Sequence, residues 1–146
     1  MNTMRDVLDW KGNEAYATKP DATVDDAVVE MCRVKVGALL VVENGRNVGI
    51  ISERDLLIRV LLAHRDTAKT LVKEVMTGRV VTIDIDDTVH CAMTMMTHKR
   101  CRHLPVVEDG EIVGVVSIGD LVRTLSQEQE HELRVLHEYV EGRYPG

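Results

Sequence analysis

The chain contains no phenylalanine, one tryptophan and three tyrosines, so aromatic residues make up only 3% of its 146 positions. Its interior must therefore be assembled from Val, Leu, Ile, Met and Ala, within an apolar fraction of 45% that is ordinary for a globular protein. Cysteine is scarce as well: Cys32, Cys91 and Cys101 are an odd number without regular spacing, which argues against a disulfide framework and for reduced thiols. Positive charge is in deficit. The net charge of −6 speaks against a broad electrostatic surface for nucleic acid, though not against a local basic pocket. Long apolar runs are missing, and the start Met1-Asn2-Thr3-Met4-Arg5-Asp6 lacks the apolar core of a signal peptide, so the expectation is a cytoplasmic chain with no membrane partner. A length of 146 residues fits one compact domain able to bury roughly two thirds of its unfolded surface.

What is present is a motif stated twice. Gly49-Ile50-Ile51-Ser52-Glu53-Arg54-Asp55 returns as Gly114-Val115-Val116-Ser117-Ile118-Gly119-Asp120. Each copy runs from a short apolar segment, of the kind that makes a buried strand, into a Ser able to cap a helix, and places an Asp three residues later in what reads as an exposed first turn. A helix start offers unpaired N–H groups and the positive end of the dipole, a natural seat for phosphate, and an Asp beside it can accept two hydrogen bonds from a ribose diol. The same Ser-x-x-Asp spacing also describes a helix cap with no ligand at all.

Around the motif, the whole chain repeats. Tyr16-Ala17-Thr18 reads as a short strand, and Thr23 with Asp26 as a capping box opening a helix whose core stripe is Val24, Ala27, Val28 and Met31. That helix should end near Gly37. Ala38–Val42 and Val48–Ile51 flank Asn44-Gly45, the strongest short hairpin signal, and a helix after Ser52 should turn Leu56, Leu57, Val60 and Leu61 to one face. Displaced by the interval between Asp55 and Asp120, the unit returns without a gap from about Val81 to Leu125, with Thr88, Val89, Ala92 and Met96 on Thr23, Val24, Ala27 and Met31, and Asp109-Gly110 on the turn. Pro105 falls on Leu40, a change with no obvious penalty. The lead-in repeats too, Lys73-Glu74-Val75-Met76 resembling Arg5-Asp6-Val7-Leu8. A duplicated β-α-β-β-α unit gives a small sheet in each half with helices on one face, so the α+β fold expected is two sheets packed about a pseudo-two-fold axis. Residues 4–66 form the first repeat, 70–125 the second, and 126–146 a charged helical extension with a narrow stripe of Leu133, Leu136 and Val140 that either packs back or meets another copy.

Other residues carry less. His98, Cys101 and His103 invite a metal reading, but Cys101 falls where the repeat puts Val36, an apolar slot. His64, His90, His131 and His137 read as surface. Lys99, Arg100 and Arg102 near the second strand entry are candidates for phosphate, although Lys99 suits a solvated helix end instead and Arg102, at a strand start, is better placed. No nucleophile, base and orienting group gather on any expected loop, so catalysis is not anticipated.

The duplicated unit closed by Gly-h-h-Ser-x-x-Asp (h, apolar), together with Glu74-Val75-Met76-Thr77 and Arg102-His103-Leu104-Pro105-Val106, resembles the cystathionine-β-synthase (CBS) domain pair, or Bateman module, over nearly the whole chain. The resemblance implies a regulatory module that binds an adenosine compound (AMP, ADP, ATP, NAD or S-adenosylmethionine) in the cleft between repeats, and a homodimer acting on an unknown protein. It implies ribose contacts from Asp55 and Asp120, and phosphate or ribose contacts from Ser52 and Ser117, with Arg54 beside them. Each pocket would draw on both repeats: Thr18, Gly37 and Ala38 would join Asp120, while Thr82, Arg102 and His103 would join Asp55, near Pro105. Ile50, Ile51, Val115 and Val116 would wall the adenine. Because one copy offers Gly37-Ala38 where the other offers Arg102-His103, the two pockets should differ. The alternative is an interaction or scaffold protein of the same fold without ligand.

Overall fold

The computed structural model describes residues 3–140, and side chains to residue 137. In chain order the elements are α1 (Met4–Lys11), β1 (Ala17–Thr18), α2 (Val24–Val34), β2 (Ala38–Glu43), β3 (Arg46–Ser52), α3 (Glu53–Asp55) running into a π-helical segment (Leu56–Leu61), α4 (Val72–Val75), β4 (Ile83–Asp84), α5 (Val89–Lys99), β5 (His103–Glu108), β6 (Glu111–Ser117) and α6 (Ile118–Val140). They form an α+β fold with two three-stranded sheets, ordered β1-β2-β3 and β4-β5-β6, each with one parallel and one antiparallel pairing. The chain divides into a continuous unit, residues 14–81, and a discontinuous one made of the residues up to 13 and those from 82 onward.

Local signals set the elements as the sequence suggests. Thr23 Oγ1 accepts the Asp26 amide at 3.1 Å and the Asp26 carboxylate accepts the Thr23 amide at 3.2 Å, closing a capping box. Both hairpins turn on residues of positive φ, Asn44 at 52° with Gly45 at 76°, and Asp109 at 52° with Gly110 at 81°. In each hairpin the register steps by one residue, from Val41↔Gly49 to Val42↔Asn47 and from Val106↔Gly114 to Val107↔Ile112. Val48 and Val113 are thus bulged, a repeated irregularity without a signature in the hydrophobic pattern.

The core of the continuous unit gathers Val24, Ala27, Met31, Leu39, Val41, Ile51, Val60, Val72 and Val75. Two apolar stripes are narrower than expected. Val28 is 36% exposed, leaving Val24, Ala27 and Met31 as the buried face of α2. After α3, the helix pairs Leu62 N–H with Leu57 O and Arg65 N–H with Val60 O, five residues apart. That wider turn departs from the 3.6-residue face, so Val60 is buried while Leu57 and Leu61 stand in solvent.

The lead-in segments are placed by connectivity that no local pattern encodes. Helix α1 opens the first repeat but lies in the discontinuous unit, and α4 opens the second repeat but lies in the continuous one. Their attachments match residue for residue. Met4 and Arg5 amides donate to Asp87 and Ile85 carbonyls at 2.9 and 2.8 Å, and Val72 and Lys73 amides donate to Ala22 and Pro20 carbonyls at 2.8 and 3.0 Å. Arg5 pairs with Asp86 at 3.2 Å, and Lys73 with Asp21 at 3.0 Å. Each lead-in then seats one side chain over the motif glycine of its sheet. A Cβ on Gly114 would lie 2.8 Å from Leu8 Cδ2, and one on Gly49 would lie 2.7 Å from Met76 Sδ and 2.8 Å from the Thr77 carbonyl oxygen. These glycines are needed for close approach.

Pro105 shifts where its parallel ladder opens. In the first sheet the Leu40 amide donates to Tyr16 O at 3.0 Å and the parallel pairing opens at Ala17↔Leu40. At the equivalent place Pro105 has no N–H to give. The second pairing accordingly opens one step later, at Ile83↔Val106, and runs on through the Ile85 amide to Val107 O at 2.9 Å. The first sheet has Pro20 where the second has Ile85, so each copy loses a donor at the opposite end of its parallel ladder.

Helix α6 continues unbroken beyond Leu125, with Leu133 and Leu136 exposed. The Val140 side chain and residues 141–146 of the expected extension lie outside the described residues. Among those described, no helix is long and apolar enough to cross a membrane.

Candidate functional site

In both sheets the end where the middle strand starts and the third strand finishes gathers the candidate residues, because antiparallel pairing brings strand start and strand end together. Ala38 pairs with Ser52, and the Glu53 amide donates to Gly37 O at 3.0 Å. His103 pairs with Ser117, and the Ile118 amide donates to Arg102 O at 2.9 Å. The continuous unit thus brings together Gly37, Ala38, Ser52, Arg54 and Asp55, while Thr18 lies further along, paired with Val41. The discontinuous unit brings together Arg102, His103, Ser117 and Asp120, with buried Pro105 two residues into the strand and Thr82 exposed ahead of β4.

Both motif serines are helix caps. The Ser52 hydroxyl accepts the Asp55 amide at 3.4 Å and the Asp55 carboxylate accepts the Ser52 amide at 2.9 Å; in the second copy the corresponding distances are 3.2 and 2.8 Å. The capping use of Ser-x-x-Asp is real in each copy. It does not exhaust the carboxylates, which are buried rather than in an exposed turn: Asp55 is 7% and Asp120 6% exposed. A buried carboxylate needs further donors: each finds one on a lead-in segment, and Asp120 finds another on its own helix.

The donors differ. At Asp55, Oδ1 accepts the Thr77 hydroxyl at 3.0 Å, and Arg59 Nη1 stands 3.9 Å from it. Arg59 Nη1 is committed to the carbonyls of Val75 and Met76, at 3.2 and 2.7 Å. At Asp120, the Lys11 ammonium donates to Oδ2 at 2.6 Å and to the Val115 carbonyl at 2.7 Å, and Arg123 donates to Oδ1 at 3.1 Å. Burial alone would push the Asp120 carboxyl up; the Lys11 ammonium and the Ser117 amide outweigh it and hold the group below the usual carboxylate range. Sequence reasoning did not find Lys11, Arg59 or Arg123. The two arginines left a trace, since Asp-to-Arg spacings of i,i+4 and i,i+3 pair on a helix, whereas Lys11 is 109 residues from Asp120 and left none.

Chemically, each end is a buried acceptor beside a helix start, suited to O–H donors. His64, His90, His131 and His137 are exposed. Burial pushes the Cys101 thiol up, opposite to what a reactive thiolate requires. Among the described residues no group of three or more His, Cys, Asp or Glu is placed to hold a metal ion.

Comparison with known proteins fits this architecture. The CBS domain matches twice, at residues 13–62 and 72–127. The CBS domain-containing protein CBSX3, mitochondrial, of Arabidopsis thaliana is 39% identical over 97% of this chain and 73% of its own length. The CBS domain-containing protein YhcV of Bacillus subtilis (strain 168) is 32% identical over 86% of this chain and 89% of its own. The solved structure of a candidate signal-transduction protein with CBS domains from Burkholderia ambifaria MC40-6 superposes with a TM-score of 0.84 at 35% identity, over 87% of this chain and 96% of that one. Matched in both repeats, the chain belongs to the CBS-domain family, as a protein carrying a pair of CBS domains.

Proposed function

We propose that this CBS pair is a regulatory, non-catalytic protein that binds an adenosine compound, AMP, ADP, ATP or NAD(H), and so modulates a partner protein in the cytoplasm. The observation that carries the reading is the duplicated buried carboxylate: Asp55 and Asp120 each stand at a helix start, beside the strand starts that hold Gly37-Ala38 and Arg102-His103, where a ribose diol would find an acceptor. Ser52 and Ser117 are engaged as caps, a use at odds with a nucleophile. Signalling, the role suggested for the Burkholderia relative, extends naturally to this chain. Three free cysteines suit a reducing compartment. Leu57, Leu61, Leu133 and Leu136, large apolar side chains exposed in a single chain, support a homodimer.

The interaction reading keeps one observation in its favour. Both carboxylates already hold protein donors, so the fold satisfies them without ligand. Mass spectrometry of small molecules released on denaturing the purified protein, followed by calorimetry with AMP and GMP, separates the two. An adenosine nucleotide that binds while GMP does not supports sensing; equal affinity for both, or no binding by either, overturns it.

A further inference from the structure

The motif carboxylates are equivalent in sequence but not in what a ligand would have to displace. At Asp55 the competing donor is a neutral hydroxyl, Thr77 at 3.0 Å. At Asp120 each oxygen already faces a cation, Lys11 at 2.6 Å and Arg123 at 3.1 Å. Lys11 is no loose surface partner. Its ammonium also holds the Val115 carbonyl at 2.7 Å, on the apolar strand of the motif, and only a quarter of its side chain is exposed against 8% for Asp120. A vicinal diol brings two neutral O–H donors. It can exchange with a hydroxyl at little cost, but to reach Asp120 it must part a carboxylate from an ammonium, giving up charge-assisted bonds for weaker ones.

We propose that Lys11 is a latch on the second motif copy: a diol-bearing ligand is held at Asp55 first, and Asp120 takes one only when the Lys11 ammonium is released. The inference rests on the adenosine reading and adds to it an order of filling, set by a residue outside both motifs. In the first copy the lead-in presents Thr77 where the second presents Lys11, and Arg59, 3.9 Å from Asp55 Oδ1, is held by the Val75 and Met76 carbonyls.

The test is titration calorimetry of the full chain with AMP, in the wild type and in Asp55→Ala, Lys11→Met and the double variant, each checked by its thermal melt. The wild type should show one strong site per chain, lost in Asp55→Ala. Lys11→Met should show two, and Lys11→Met/Asp55→Ala should keep one, at least tenfold tighter than any residual binding to Asp55→Ala. If Lys11→Met fails to fold, Lys11→Gln, which retains a donor for the Val115 carbonyl, takes its place. Two equal sites in the wild type, or a double variant no better than Asp55→Ala, overturn the latch while leaving the adenosine reading intact. Absence of AMP binding in every variant overturns both.

Discussion

Asp55 and Asp120 occupy one place in two copies of one unit, and each receives a donor from the lead-in segment that opens the other copy. In the continuous unit α4 stops after a single turn, and Met76-Thr77 extends along β3, with Thr77 and Ile50 exchanging amide–carbonyl bonds at 2.9 Å. In the discontinuous unit α1 remains helical to Lys11, whose side chain supplies the Val115 carbonyl instead. The same edge is closed by backbone in one case and by an ammonium in the other. Duplication therefore preserved the sheet and its caps while leaving the polarity around the carboxylate free to diverge.

The sharpest way to break the comparison is at the glycines. Gly49→Ala drives a methyl into a flexible side chain and also into the Thr77 carbonyl, part of the backbone, whereas Gly114→Ala meets only Leu8 side-chain atoms. We expect a loss of about 3 kcal/mol for Gly49→Ala and about 1 kcal/mol for Gly114→Ala in denaturant unfolding, consistent with overpacking a close contact. Equal losses would show that the Thr77 segment yields as easily as a leucine.

Next come the carboxylates. Asp120→Ala leaves Lys11 and Arg123 without their acceptor and should destabilise the ligand-free protein by about 2 kcal/mol, against about 1 kcal/mol for Asp55→Ala, whose principal lead-in donor is a hydroxyl. Differential scanning calorimetry reads this as a drop in Tm of roughly 4–8 °C for Asp120→Ala. A larger drop for Asp55→Ala would contradict the assignment of the charged pair as the stronger. The same ion pair predicts a pH signature. Folded Asp120 ionises below the unfolded value near ~3.9, so its contribution is in place above that range and is lost as pH falls through the folded value. The Tm advantage of the wild type over Asp120→Asn should therefore shrink below about pH 4; a gap independent of pH would remove the charge from the account.

The smallest effect concerns the ladder. Pro105→Leu restores the N–H that its counterpart Leu40 donates to Tyr16 O, and should add one slowly exchanging amide while changing stability by no more than about 1 kcal/mol. Rapid exchange at the new amide would mean that the second sheet is held open by something other than proline.

These contrasts also mark where sequence was readable. Caps and turns rest on short-range chemistry, and Thr23 with Asp26, the two Asx-Gly turns and the paired motif helices stand where spacing puts them. The bulges at Val48 and Val113 and the π-helical turn at Leu56–Leu61 depart from the regular strand and helix periods, so a reading by periodicity is blind to them. The lead-in segments announce an apolar face in Val7-Leu8 and Val75-Met76, but an apolar face does not name the sheet that covers it. For that reason Ser-x-x-Asp marks the aspartates in the sequence, whereas nothing there marks Lys11 and Thr77 as their partners.

The exchange of lead-in segments also has a temporal side. Residues 4–11 leave the ribosome well before the strands and helices they bury against, residues 83–121. At roughly 5–20 residues per second, α1 waits several seconds for its place. Everything in residues 14–81, by contrast, is ready as soon as Val81 emerges. Synthesis thus completes the continuous unit first, and during that interval the apolar side chains Met4, Val7 and Leu8 must be kept from the wrong partners, a task for which the charged neighbours Arg5, Asp6 and Asp9 are well placed.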